Sequence, residues 1–139
     1  MQTTARGMLL AAACATLAAF CSPTSADDAS VAAGSWGGDH LLLDVTSLGA
    51  TAEFDCAHGT VDAPLTLDSS GRFDLPGTFT REQPGPTRQD ESMPTLPARY
   101  RGVFKNPTLT LTVVLTDSQD TVGAFTVQHG AEPRLTKCK

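Results

Sequence analysis

Aromatic residues are scarce, with one Trp, one Tyr and six Phe in 139 residues. That scarcity makes the single Trp36 the first residue to place. Positive charge is short as well: ten Lys and Arg stand against fifteen Asp and Glu, a formal net of −5. Such a balance argues against binding a phosphate backbone, which needs clustered Lys and Arg, and favours solubility. Nucleic acid is therefore not an expected partner. No apolar run reaches the roughly 20 residues that span a bilayer as a helix. The longest, Met8 to Phe20, has 13, so no membrane span is expected. Apolar residues rarely recur at the three- and four-residue spacing of a helix face. The Gly-x-Ser-x-Gly motif of a nucleophile elbow is absent too.

What the sequence does contain begins with a leader. Arg6 is the one charged residue among the first 26, the apolar stretch from Met8 to Phe20 follows, and Ser22-Pro23 with Thr24-Ser25-Ala26 closes the segment. This is the layout of a secretory signal peptide. Residues 1–26 are read as the leader and 27–139 as one all-β domain. Losing Arg6 leaves nine basic against fifteen acidic residues, a net of −6. Lipidation is the less favoured fate, because Cys21 is preceded by Phe20 and Cys14 has little apolar sequence upstream. The expected location is the periplasm or the medium.

Removing the leader takes Cys14 and Cys21 with it and leaves Cys56 and Cys138. Two cysteines in an exported domain pair more often than not. Closing a loop of that length contributes roughly 4–5 kcal/mol in the chain-entropy model, a large part of a domain's ~5–15 kcal/mol.

Thr, Val and Phe alternate with polar residues along the mature region, and that is the period of a strand. In Thr108–Thr116, Leu109, Leu111 and Val113 fall on one side and Thr108, Thr110 and Thr112 on the other. Eight strands are expected, at about 39–47, 50–57, 59–67, 72–80, 98–105, 108–116, 121–128 and 134–138. The connectors are short and rich in Gly, Pro, Asn, Asp and Ser, so successive strands pair as antiparallel neighbours. A meander of this kind removes its two edges by closing. The expectation is a small antiparallel up-and-down β-barrel, with a two-sheet β-sandwich as the alternative. A Cys56–Cys138 bridge would tie the second strand to the eighth. The exception among the connectors is the 81–97 segment, with four prolines in 17 residues. It reads as a solvated loop, or else as a lid or partner-binding loop.

Gly34-Ser35-Trp36 before the first expected strand resembles the opening of the calycin barrels, the lipocalins, fatty-acid-binding proteins and avidins. That resemblance implies a barrel floor closed by the Trp36 indole under an arginine from near the last strand, a place Arg134 fills here; a guanidinium over an indole contributes ~0.5–2 kcal/mol. The chain is shorter than a lipocalin and lacks the family's other signature segments. With Glu53-Phe54-Asp55-Cys56-Ala57-His58-Gly59 and the closing Glu132-Pro133-Arg134-Leu135, it is also similar to small exported bacterial proteins. Neither resemblance brings an activity.

Pairing the first two expected strands across Ser47-Leu48-Gly49-Ala50 puts Leu41, Leu43 and Val45 on one buried face with Ala52, Phe54 and Cys56. The other face carries His40, Asp44, Glu53 and Asp55, with Asp44 opposite Glu53 and His40 near Asp55. Those four are candidates for a cation site with oxygen ligands. The preferred reading is a solvated acidic face, and no metal or other cofactor is expected. His58 and His129 each precede a Gly in an expected turn, with no Ser or Cys nucleophile evident beside them. The function expected is non-enzymatic binding, of a small apolar ligand or of an envelope protein, by a monomer. A protease-inhibitor-like or accessory module is the alternative, and a hydrolase ranks below both.

Overall fold

The structure is a computed structural model and describes residues 29–83, 85 and 93–138. The expected leader lies outside the described residues, as do positions 84 and 86–92 of the 81–97 segment. The described residues form eight strands: β1 Gly34–Gly38, β2 Leu41–Val45, β3 Ala50–Phe54, β4 Ala57–Val61, β5 Arg72–Arg81, β6 Thr95–Lys105, β7 Thr108–Leu115 and β8 Thr121–His129. Each pairs antiparallel with the next, and β8 returns to β1 through Trp36↔His129, Gly37↔Gln128 and Gly38↔Val127. The architecture is a closed up-and-down barrel, which sets the sandwich alternative aside. No described helix is long and apolar enough to cross a membrane.

Two expectations about the wall need correction. The strand that completes it is Gly34–Gly38, and 134–138 is a tail that makes one parallel bridge, Asp39↔Arg134. A glycine-rich strand shows no alternation, yet glycine is what this seam requires. A Cβ on Gly37 would collide with the carbonyl oxygen of Ala131 and the nitrogen of Pro133, because the tail lies directly over it. The second correction concerns register. Val45 pairs with Ala50 and Asp44 with Thr51, so the β2–β3 loop is Thr46–Gly49, closed by the Thr46 N–H donating to the Gly49 carbonyl at 2.8 Å. The expected pairing is off by two positions, and a slip of two leaves each side chain on its own face. Leu41, Leu43, Val45, Ala52 and Phe54 are accordingly all buried. Cys56 is not on that face; it sits half-buried in the two-residue β3–β4 turn.

The interior is filled by side chains. Leu41, Leu43, Leu109, Leu111 and Val113 are wholly removed from solvent, each Leu contributing ~1.5–3 kcal/mol. Tyr100 crosses the middle and donates its hydroxyl to the Thr78 carbonyl at 2.6 Å. Gly59 and Gly77 make room for its ring. Burial, reinforced by the charge of Asp62, pushes the phenol well above its ordinary range.

Each end has its own stopper. At one end the segment 29–33 pairs with 65–67, with the Val31 N–H on the Leu65 carbonyl at 3.0 Å, and Val31, Leu65 and Leu67 are buried there. Trp36 lies against this cap and donates its indole N–H to the Ala32 carbonyl at 2.8 Å. At the other end Phe54 meets Phe79 and Phe125, with ring centroids 5.4 and 5.1 Å apart.

Strand β5 outruns β4, whose last residue, Val61, pairs with Gly77. Residues 72–76 therefore present an edge, and that edge is blunted. Pro76 has no N–H, and its carbonyl accepts from Asp62 N–H at 2.9 Å. Arg72 N–H donates to the Asp68 carboxylate at 3.0 Å, and its carbonyl accepts from Asp68 N–H at 2.8 Å. Another strand cannot easily add to an edge guarded in this way.

Candidate functional site

Two parts of the surface bring chemistry-bearing side chains together. The first is a strap formed by the tail. After Gly130, at φ 74°, the chain doubles back across β1, and the His40 N–H donates to the Arg134 carbonyl at 2.9 Å. The tail then reaches the β3–β4 turn, where Cys138 is bonded to Cys56 with Cα atoms 5.2 Å apart. Such a bridge belongs to oxidising, extracytoplasmic settings.

Asp55 is the hub of the strap. One carboxylate oxygen accepts the Thr136 N–H at 2.8 Å and the other meets Nδ1 of His40 at 2.6 Å. The bond from Thr136 is the main reason that the Asp55 carboxyl sits below the usual carboxylate range. Hydrogen bonding and charge from His40 add to it, and desolvation opposes them. His40 can face Asp55 because it adopts φ 68° in the two-residue turn after β1. Lys137 completes the strap by donating to the Phe54 carbonyl at 3.0 Å and pairing with Glu53 at 3.4 Å and Glu82 at 3.6 Å. Glu82 in turn meets His58 Nδ1 at 3.1 Å.

His40 and Asp55 are thus brought together, while Asp44 and Glu53 turn elsewhere. Asp44 accepts the Ser35 hydroxyl and Glu53 faces Lys137. Among the described residues no three His, Cys, Asp or Glu side chains converge as they would on a metal ion. The two residues assigned to the barrel floor also separate. Trp36 is buried, and its ring neighbours are Phe104 at 6.0 Å and His129 at 5.2 Å. Arg134 does not reach it; its side chain is 84% exposed and pairs with Asp39 at 2.8 Å. The reason is the path of the tail, which runs outside the wall and keeps Arg134 there. Residue spacing alone could not distinguish a last strand from a returning tail.

The second part is the outer face of β5 and β6. Asp74 lies opposite Arg101 and Pro76 opposite Arg99. The Asp74 carboxylate accepts from Arg99 Nε at 2.9 Å and from Arg101 Nε at 3.3 Å. Arg72 and Lys105 project from the same face by the alternation of their strands. Two clefts flank this array, about 670 and 510 Å³ in volume, and they share Arg72 and Val103. The larger opens at the uncovered edge of β5, and its apolar floor is Leu67, Phe73 and Leu75, inward-facing side chains of the core and its margin. Sequence reasoning did not assemble this face. The same-side spacing of Arg99, Arg101 and Lys105 was a usable signal, but Arg72 joins them only through the β5–β6 register.

In comparisons with known proteins, the chain matches no protein-family model, no curated protein and no solved structure.

Proposed function

We propose that this chain is an exported, non-enzymatic binding module whose partner is a protein of the cell envelope or the medium. The observation that carries the reading is the filled interior. An eight-stranded barrel either packs its core with side chains or holds one small molecule there. Tyr100 occupies the middle here, with Trp36 toward one end and the Phe54–Phe79–Phe125 cluster at the other. A wall so supported is a rigid platform, and recognition then falls to its outside.

The histidines favour the same reading. His40 faces Asp55, His58 faces Glu82, and His129 faces the Ala33 carbonyl while its ring lies on Trp36. Each is engaged in holding the fold, and none is hydrogen-bonded to a Ser or Cys among the described residues. The leader expected from the sequence and the disulfide support export, and the Gly-x-Trp strand keeps the calycin likeness as an architectural one. A small apolar ligand is the second reading, favoured by the apolar floor of the larger cleft.

The test is the mass of the protein taken from its native compartment, measured under native and then denaturing conditions. The proposal expects a protein-sized increment that disappears on denaturation. A small-molecule increment instead would replace it with the carrier reading.

A further inference from the structure

We infer that the outer face of β5 and β6 is the docking surface and that it takes an extended, acidic segment of a partner protein. The inference rests on the proposed binding role and names the place and chemistry of the contact. It begins from a local imbalance in a chain of net charge −5. Elsewhere the described cations are engaged: Arg134 with Asp39, Lys137 with Glu53 and Glu82, and Arg81 over the Phe79 ring. On the β5–β6 face the four cations Arg72, Arg99, Arg101 and Lys105 meet three carboxylates: Asp74 among them, Asp68 beside Arg72 at one margin and Asp62 beside Pro76 at the other. The neighbouring outward positions of β7 are Thr108, Thr110, Thr112 and Val114, which add no negative charge. The face therefore keeps a positive surplus.

Its shape selects the kind of anion. The two clefts adjoin at Arg72 and Val103, toward the Lys105 end of the β5–β6 pair. From Arg99 to Lys105 the strand runs about 20 Å, at ~3.3 Å per residue. A single small anion would use a fraction of that length. A flat bilayer surface would meet the guanidinium groups and leave the recessed floor of Leu67, Phe73 and Leu75 empty. An extended polypeptide fills both, with acidic side chains against the arginines and apolar ones in the clefts. Arginine suits the task because its fork grips a carboxylate through two donors. Asp74 holds Arg99 and Arg101 in place before a partner arrives, which lowers the entropy lost on binding. The blunted β5 edge makes this a side-chain contact, so strand addition is not the mode.

The experiment follows a fluorescent dodecapeptide of alternating Glu and Val by anisotropy, at low and at physiological ionic strength, with its Gln-for-Glu counterpart as control. Binding of the acidic peptide alone, weakened by salt, is expected. Arg72→Glu should weaken it about tenfold, and Arg101→Gln should act in the same direction without placing a new anion beside Asp74. Arg134→Glu makes the same net-charge change as Arg72→Glu on the far side of the barrel and should leave it nearly unaltered. Equal losses for Arg72→Glu and Arg134→Glu, or no loss for either, would overturn the inference. So would Arg72-dependent binding to phosphatidylglycerol vesicles, or Arg72-dependent self-association in sedimentation, by a protein that ignores the peptide. Melting curves of each variant confirm that the barrel is intact. A native complex that forms equally well with Arg72→Glu would remove this face while leaving the proposed binding role standing.

Discussion

Nδ1 of His40 lies 2.6 Å from a carboxylate oxygen of Asp55, joining the β1–β2 turn to the β3–β4 turn across a strand pair to which neither residue belongs. The other oxygen of the same carboxylate holds the tail at Thr136. Two turns and the returning chain are thus fastened at one side chain.

That arrangement predicts a pH dependence. A carboxyl held below its unfolded value contributes stability that is full above the unfolded value and is lost as the pH falls through the native one. The ordinary Asp value is 3.8 and the shift of Asp55 is downward, so the loss belongs to the acid limb below that value. Melting temperatures measured against pH should fall more steeply there for the native chain than for Asp55→Asn. Parallel curves would remove Asp55 as the fastening point.

The Cys56–Cys138 bridge closes a separation of 82 positions. Cys138→Ser should therefore cost roughly 4–5 kcal/mol, which for a domain of this size lowers the thermal midpoint by about 15 °C or more. Calorimetry of the oxidised native chain against the variant checks this. An unchanged midpoint would mean that the hydrogen bonds of the strap suffice without the bridge.

Tyr100 is the only tyrosine, so its ionisation can be followed without interference. Burial raises its value in the folded state. Stability from the neutral phenol is therefore full below the ordinary tyrosine range near 10 and is lost as the pH rises through the native value. The tyrosinate absorbance should emerge together with alkaline unfolding. Tyr100→Phe leaves the Thr78 carbonyl without its donor and should cost about 1–3 kcal/mol. An absorbance that appears near the ordinary value in a folded protein would contradict this placement of the ring.

Gly37 supports the tail because it has no side chain. Gly37→Ala should destabilise by about 1–3 kcal/mol, since the colliding atoms are backbone and cannot rotate away. Urea unfolding measures the loss. Gly123→Ala, where the added carbon would meet only the ring end of the Phe125 side chain, is the control for glycine replacement at large.

Strands whose residues alternate were legible because burial on one face dictates that pattern. Thr108–Leu115 follows its apolar and threonine positions through Val113. Gly34–Gly38 was illegible for the opposite reason. Its value to the fold lies in the absence of side chains, and a pattern method sees only side chains. The pairing of the mature cysteines could be read from their number, whereas the position of Cys56 in a turn depends on the β2–β3 and β3–β4 registers. His40 and Asp55 could be brought near one another by counting along a hairpin. The partners of Arg134 and Lys137 and the strand neighbour of Arg72 could not, since each is fixed by a segment far away in sequence.

The seam between β1 and β8 has a consequence for how the chain assembles. Trp36 meets His129 roughly ninety positions away, whereas the other seams join neighbouring hairpins. Contacts of such sequence separation come late, after local ones have reduced the entropy of the connecting chain. Hairpins therefore form first and the wall closes last. Until it does, β1 and β8 carry unpaired backbone groups open to other chains. Among the five residues of Gly34–Gly38 only Trp36 offers apolar surface to adhere, and closing the wall is what buries it.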